Sequence, residues 1–544
     1  KGASSSASSS VSSSSSSSSS SLFLAYPALR GVSRDELELR LVCARKLNDV
    51  VNKALPLVDL RESSTAGTLA HSVVHVASPL LWLSTKLKLW DRALAASATP
   101  DNGSGGRFEF PLNRHLASAQ LGKKPGKSTD LPLLHSSFGQ VFAAVDGRPP
   151  SALRVSGKDA RAWKVVLVGE GAIDAGGPYR ESLSDCVGDL FKPHTNLFVP
   201  CANRKAEAEG FVSGMAGIHH MDKFVPNPSK TSTPLHLRLF GFVGKLLGLA
   251  MRSGAALPFH FPPLLYKRVL GHGVGKADLK RIDKFLVDYL EQLLKAPHDE
   301  HMSEELFEDL YGGRAFTTKS VAGRQVELCE QGKRKALTLA NSGHFVELMY
   351  QYHLHEFDAA ASAIASGLAT VVPLAVLRLF TASQFELLVT GRAEVDLGLL
   401  RRQTVYEAPY SDNHPTILLF WAMMEGFSHA ERSMMIKFAW SRDRLPLRAE
   451  DFSAQFKITR LSVSSSDPNH SFPQAHTCFF TIDLPEYSTL EAMSLKVRYA
   501  IENCTAIDTD NYAGDFQVDD QAGGGGGGGV NDDSDSDEEE EEEE

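Results

Sequence analysis

Cysteine is scarce in this chain and widely scattered. Six occur in 544 residues, at positions 43, 186, 201, 329, 478 and 504, and no two stand in a C-x-x-C spacing. That spacing is what a zinc knuckle or a redox dithiol needs, so both are excluded. Thiols this far apart suit a reducing compartment, the cytoplasm and by extension the nucleus. Clustered Lys and Arg are missing, which argues against a nucleic-acid groove. No uninterrupted apolar run reaches the length of a bilayer, so no membrane span is expected. The apolar stretch Leu22–Leu29 follows serines instead of a basic segment and reads poorly as a signal peptide. The chain also lacks an initial Met. Lys1 stands first, which suggests a piece from the C-terminal end of a longer protein.

The net charge of −10 is a local feature. The segment Asn531–Glu544 alone carries eleven acidic side chains, so the remainder is close to neutral. That acid is read as a solvated tail, released by the glycine run Gly523–Gly529. Ser534 and Ser536 within it are potential phosphorylation sites, but a plain acidic spacer is the simpler reading. At the other end, Ser4–Ser21 is nearly pure serine and is expected to be disordered.

Between these ends the periodicity predicts a folded protein. Ser33 and Glu36 form a capping-box pattern ahead of a helix carrying Leu37, Leu41, Ala44, Leu47, Val51 and Ala54. Leu80–Ala96 reads as a second helix and Phe108–Leu112 as a short strand among loops. Ala162–Gly169, AWKVVLVG, reads as a buried strand. His344–Phe357 is a strong helix with Phe345, Leu348, Met349, Tyr352 and Phe357 on one face. Beyond Gly391 the elements shorten. Ser428 with Glu431, and Ser488 with Glu491, are two further capping boxes, each opening a helix. Between those helices lie two strands, Phe456–Val463 and Phe479–Leu484. The second alternates, with Phe480, Ile482 and Leu484 on one face and Phe479, Thr481 and Asp483 on the other.

Several motifs invite chemistry and fall short. GEGAIDAGG at Gly169–Gly177 follows a strand, but a dinucleotide fingerprint needs glycine where Asp174 stands. GHGVGK at Gly271–Lys276 follows a helical stretch and lacks phosphate-loop spacing, so it reads as an inter-helix turn. His353 and His355 point apart on a helix, which favours structural roles over a shared metal. His219 and His220 have no ligand cluster beside them and read as loop residues.

Cys478 differs in its setting. The polar loop Ser464–Pro473 leads to it and a strand follows, so the thiol falls at a loop–strand junction two residues after His476. Exposed loops next to strands are where function gathers. Cys43, within an amphipathic helix, is read as a packing residue. The residues alone leave Cys478 with two readings, packing thiol or nucleophile.

The surrounding words narrow that choice. FPQAHTCFFTIDLPEYST at Phe472–Thr489 resembles the active-site segment of HECT-type ubiquitin ligases. WKVVLVGEGAIDAGGPYRES, FVGKLLGLAMRSG, FPPLLYKRVLG, VELCEQGKRKALTLANSGHFVELM and FTASQFELLVTG resemble further HECT segments, in the family's order, between about Arg107 and Phe516. The upstream stretch LRGVSRDELELRLVCARKLNDVVNKALPLVDL is similar to one preceding the catalytic domain in the large HERC-group ligases.

The resemblance implies an α+β, bilobal HECT domain preceded by a helical segment. The expected organisation is a Ser-rich region at 1–21, a helical segment at 22–104 and a mostly helical N-lobe at 105–390. The conjugating-enzyme-binding part of that lobe is expected at about 296–345. A hinge at 391–395, an α+β C-lobe at 396–518 and a tail at 519–544 follow. The implied activity is that of an E3 ubiquitin-protein ligase. Cys478 would accept ubiquitin from a conjugating enzyme as a thioester and pass it to a substrate lysine, with His476 and Thr477 as supporting residues. No cofactor and no metal is implied. The implied partners are the conjugating enzyme, ubiquitin and protein substrates.

The chain departs from the family pattern in three places. WSRDRLP at Trp440–Pro446 replaces a small glycine-containing turn, Phe480 stands where Asn is common, and the chain continues past the last helix. Phe516 is the candidate for the phenylalanine many members carry near their C-terminus. These departures keep open a catalytically inactive HECT-like module that binds conjugating enzyme or ubiquitin. A thiol hydrolase is a third reading, and it would require a histidine and an Asp or Asn convergent on Cys478.

Overall fold

The computed structural model describes residues 31–503 apart from 61–64, 100–106, 121–129, 156–159, 171–175, 212–217, 219, 374–376, 393, 441, 443, 463–466 and 478. The serine tract, the glycine run, the acidic tail, Phe516, Asp174 and His219 therefore lie outside the described residues. The fold is α+β, mostly helical, with short strands in small sheets.

Helix α1 (Arg34–Ala54) starts at Ser33, whose hydroxyl accepts the Glu36 N–H at 3.2 Å. Glu36 does not reach back to close the box; its carboxylate pairs with Arg40 one turn on. Only the C-terminal part of α1 packs, through Val51 and then Leu55, while Leu39, Leu41 and Val42 face solvent. Cys43 is exposed, which corrects its reading as a packing thiol. Heptad-like spacing marks a face, but no described element lies over the first turns of that face. The buried Asn48 anchors α1 by accepting the Trp82 N–H at 2.8 Å, just ahead of α2 (Leu83–Ala96). Leu87, Leu89 and Trp90 of α2 enter the main core, where Trp90 meets Phe380 edge-on at 5.8 Å.

Strands β1 (Glu109–Leu112) and β2 (Lys164–Leu167) pair in parallel, Phe110 opposite Val165. The expectation of a buried strand is met on one face only. Val165 and Leu167 are buried, but Val166 is 45% exposed, because the two-stranded ribbon is covered on one face only. Helix α3 (Gly177–Asp189) packs behind it, and Trp163 meets Tyr179 at 5.2 Å. Strands β3 (Phe198–Pro200) and β4 (Phe224–Pro226) form an antiparallel ribbon.

Helix α4 (Pro234–Ser253) is capped by Thr233, with Pro at its first position and Gly254 in the left-handed region at its end. It is the one described helix long and apolar enough to cross a membrane, and two-thirds of that apolar window is buried inside the protein. The burial is against α9 (Asp358–Val371), reached after α5 (Pro263–Val269), α6 (Lys284–Lys295), α7 (Glu304–Tyr311) and α8 (Ser342–His355). Backbones of α4 and α9 nearly touch. A Cβ on Gly244 would stand 1.9 Å from the Ile364 carbonyl oxygen, and one on Gly367 would stand 1.8 Å from that of Gly241. Arg252 closes the end of this pair using carbonyls and a hydroxyl: Nε donates to Val371 O at 2.7 Å and Nη2 to Ser97 Oγ at 2.6 Å. Burial lowers its pKa to about 10, which leaves it charged at neutral pH.

Strands β5 (Thr317–Lys319) and β6 (Gln325–Glu327) make a third ribbon beside α8. His353 is buried there, with Nε2 2.9 Å from Thr318 Oγ1, whereas exposed His355 pairs with Asp358 at 2.7 Å. The two rings serve different contacts, as their spacing predicts. GHGVGK is the turn between α5 and a short helix at Lys276–Lys280, and Lys267 beside it pairs with Asp278 at 2.7 Å.

Helix α10 (Ala382–Thr390) ends this part of the chain. Among the described residues, buried apolar side chains form three clusters. One runs from Val51 to Val389, a second from Cys201 to Phe357, and a third from Val395 to Ile501.

Candidate functional site

The third cluster belongs to a compact stretch that holds the Cys478 segment. Its elements are α11 (Leu397–Arg402), β7 (Thr404–Tyr406), α12 (Pro415–Gly426), α13 (His429–Trp440), β8 (Phe456–Arg460), β9 (Gln474–His476), β10 (Thr481–Leu484) and α14 (Leu490–Asn503). The four strands lie in the order β7–β8–β10–β9, with only the last pair antiparallel. The capping box at α13 is complete: Ser428 N–H donates to Glu431 at 2.7 Å, and Glu431 N–H to Ser428 Oγ at 3.3 Å. Arg498 of α14 adds a contact of 2.6 Å to the same carboxylate. Hydrogen bonds from Ser428 and then Arg498 hold the Glu431 carboxyl down to about 2.

At α14 the expected box is not formed. Thr489 is the cap, accepting the Ala492 N–H at 3.2 Å. Ser488 instead hydrogen-bonds Asn469 across the loop at 2.9 Å. Two adjacent hydroxyls competed for one role, and the loop claimed the first.

Each face of the sheet has its own chemistry. One face is apolar: Phe456, Ile458, Phe480, Ile482 and Leu484 are fully buried. Phe480 lies flat on Trp440, with centroids 4.1 Å apart and 8° between planes, and Trp440 continues the stack to Phe452 at 5.7 Å. The two departures from the family pattern thus meet in one packed contact. Phe480 has φ of +53°, an uncommon conformation for a bulky side chain. That turn delays the strand, so β10 begins at Thr481 and not at Phe479 as expected.

The other face carries a polar row. Thr459 on β8 lies opposite Asp483 on β10, and His476 on β9 lies opposite Thr481, one diagonal step from Asp483. His476 Nε2 is 2.9 Å from Asp483 Oδ2, and Thr459 Oγ1 donates to Asp483 Oδ1. The His476 and Asp483 side chains are 40% and 21% exposed, so the row is open to water at the histidine end.

Cys478 itself lies outside the described residues. Its neighbours define a tight turn: Phe479 N–H donates to the His476 carbonyl at 3.0 Å, Thr477 is half-buried, and Phe479 is 70% exposed. Phe479, its described neighbour on the C-terminal side, therefore lies at the protein surface. A cavity of about 180 Å³ with mixed polar and apolar walls lies elsewhere, lined in part by Cys201, Lys205, Leu279, Ile282, His353 and Glu356. Burial drives the Cys201 thiol upward, so that sulfur is held as an unreactive thiol.

Of the sequence-predicted residues, His476 and Thr477 take places on the hairpin. Asp483 and Thr459 were not predicted as site residues. The available signal was parity. Residues 474, 476, 481 and 483 share one face of any hairpin pairing 476 with 481, and the opposite face was already assigned to the core.

The fold and these neighbours define the class: an α+β domain in which the strands on either side of the Cys478 motif carry a histidine–aspartate pair. Residues 184–509 match the model of the HECT domain (ubiquitin-transferase), and the chain belongs to that family. It is 31% identical over 491 residues to the E3 ubiquitin-protein ligase HERC2 of Mus musculus, a match covering 90% of this chain and 10% of that protein. Identity to the E3 ubiquitin-protein ligase ptr1 of Schizosaccharomyces pombe is 27% over 409 residues, covering 72% and 12%. With the Homo sapiens E3 ubiquitin-protein ligase HECW1 it is 29% over 411 residues, covering 73% and 23%. The chain thus spans about a tenth of the length of the HERC2 proteins it matches.

Proposed function

We propose that this chain is the catalytic region of an E3 ubiquitin-protein ligase that works through Cys478. The family match across residues 184–509, which takes in Cys478 and both of its flanks, carries the reading. Ubiquitin arrives as a thioester on a conjugating enzyme. The Cys478 thiolate attacks that carbonyl, and the conjugating enzyme's thiolate leaves. A substrate lysine amine then attacks the new thioester, forming an isopeptide bond and releasing Cys478. One acyl transfer is split into two, with a thioester exchanged for a thioester in the first. Neither step requires a metal, nucleotide or bound cofactor. A cytoplasmic location, extending to the nucleus, suits a reaction that depends on a free thiol.

Two bulky proteins must reach the same sulfur in turn, and the exposure of the adjacent Phe479 is in keeping with that. The reading includes two lobes joined near 391–395. It is supported by the break in buried clusters between Val389 and Val395, and by Gly391, whose φ of +67° and ψ of −175° suit glycine alone. The conjugating enzyme is assigned to about 296–345, where α7 buries Phe307 and leaves Leu306 and Leu310 facing out.

Phe480, one of the residues behind the inactive reading, is spent on packing against Trp440 and does not occupy the polar face. The His476–Asp483 pair gives the hydrolase reading a specific foothold, since a thiol hydrolase needs such a pair beside its cysteine. Incubation with activating enzyme, conjugating enzyme, ATP and ubiquitin separates the readings. The expected result is a reducible ubiquitin adduct that disappears with Cys478→Ala and persists with Cys43→Ala, the control demanded by an exposed second thiol. An adduct indifferent to Cys478→Ala overturns the proposal. Turnover of a fluorogenic ubiquitin substrate without conjugation would favour hydrolysis.

A further inference from the structure

Helix α1 packs by one side of its C-terminal half, through Asn48 and Val51. The opposite side is bare. Leu39, Cys43, Lys46 and Val50 fall there in steps of four, three and four, the spacing of a heptad seam. Leu39 and Val50 are each 63% exposed, and Cys43 and Lys46 are exposed between them. One step further out at each end stand Glu36 and Lys53. Asp35 and Lys53 have no charged partner among the described residues, although Arg34 and Arg40 on the same helix are paired, to Glu38 and Glu36. The helix thus carries acid in its first turn, a base in its last, and an exposed stripe between them.

We propose that this stripe seats a second copy of the chain, whose own α1 lies antiparallel on it about a two-fold axis. From Glu36 to Lys53 the steps run three, four, three, four, three, and so read the same from either end. A copy running the other way therefore meets the stripe position for position. Leu39 lies against Val50, Cys43 against Lys46, and Glu36 with its neighbour Asp35 against Lys53, each twice by symmetry. The unpaired charges at the two ends find opposite charge, and the two helix dipoles oppose one another. A parallel copy would set Asp35 and Glu36 against their own counterparts and Lys53 against Lys53. Like charge then repels at both ends, so charge selects the antiparallel orientation. The contact is one helix pair about 25 Å long, a size that suits a reversible dimer in the micromolar range.

Sedimentation equilibrium of the full chain from about 1 to 200 μM tests this. A monomer–dimer equilibrium is expected, and Leu39→Asp or Val50→Asp weakens it at least tenfold without moving the melting temperature, since both side chains are exposed. Charge reversal tests the register. Asp35→Lys with Glu36→Lys in one variant, and Lys53→Glu in another, each abolish self-association, and mixing the two variants restores a dimer. Cys43 tests the orientation. With helices 8–10 Å apart and a stagger of three residues, the two Cys43 Cα atoms stand about 10 Å apart, within reach of a short bis-maleimide but too far for a disulfide. The cross-linked dimer is expected with the reagent and absent in Cys43→Ala. A monomer throughout the concentration range overturns the proposal. So does a dimer that Leu39→Asp leaves intact, which would place the copies elsewhere. Charge-reversed variants that stay apart when mixed, or a direct Cys43–Cys43 disulfide, overturn the antiparallel register.

Discussion

The helical part around α4 and α9 and the sheet that carries β9 and β10 solve opposite problems. In the first, backbones approach so closely that Gly244 and Gly367 have no room for a methyl group, and Arg252 satisfies carbonyls deep inside. In the second, a four-stranded sheet buries one face on aromatic stacks and holds a row of hydroxyl, carboxylate and imidazole on the other. The contrast teaches where rigidity is used. The helical part uses it throughout, while the sheet uses it on one side to position chemistry on the other.

Breaking the first region should have the largest effect. Gly244→Ala or Gly367→Ala drives a methyl into a main-chain carbonyl, so the loss should exceed the ~3 kcal/mol of ordinary overpacking. Calorimetry or soluble yield reads this directly, and a variant that melts like wild type would refute the close approach. The sheet should break next. Phe480→Ala removes a fully buried ring from the Trp440 stack and should cost about 3–5 kcal/mol. Phe480→Gly should cost about 1 kcal/mol less than Phe480→Ala, because glycine accepts the positive φ without strain. The reverse order in denaturant unfolding would deny that strain.

Smaller effects sharpen the comparison. Glu431→Gln should cost about 1 kcal/mol at pH 7, as for loss of a helix cap. The Glu431 carboxyl is held below its ordinary unfolded value, so its contribution is complete above about pH 4.5 and fades as pH falls toward about 2. The wild-type and variant melting curves should therefore converge in acid, and a difference that persists at pH 2 would contradict the mechanism. The smallest effect belongs to one of the contacts between the helical part and the part that carries the sheet, Arg448 Nη1 to Asp91 Oδ2 at 2.9 Å. Asp91→Asn should change stability by less than about 1 kcal/mol and by less still in high salt, since the pair is partly exposed. A larger, salt-independent loss would mean that the two regions are held together more strongly than the comparison implies.

Much of this arrangement was legible in the residues. Ser33 and the Ser428–Glu431 pair announced their helices because capping is a contact within one turn. The alternation at Phe480, Ile482 and Leu484 gave the buried face of β10. Thr489 displaced Ser488 as a cap because Asn469, distant in sequence, captured the neighbouring hydroxyl. Val166 was misread because burial of a strand's second face depends on what lies over it. Cys43 was misread for the same reason, since a periodic face predicts a partner without supplying one. Trp440 and Phe480 looked like separate departures from a motif until packing put one on the other.

The sequence by itself determined the family, through contiguous motifs, and many of the helices and strands, because capping and periodicity are local. Tertiary structure alone decided that Thr459, Asp483 and His476 stand in one line. Their alignment depends on the register of three strands, and register is set by the burial of the face they do not share.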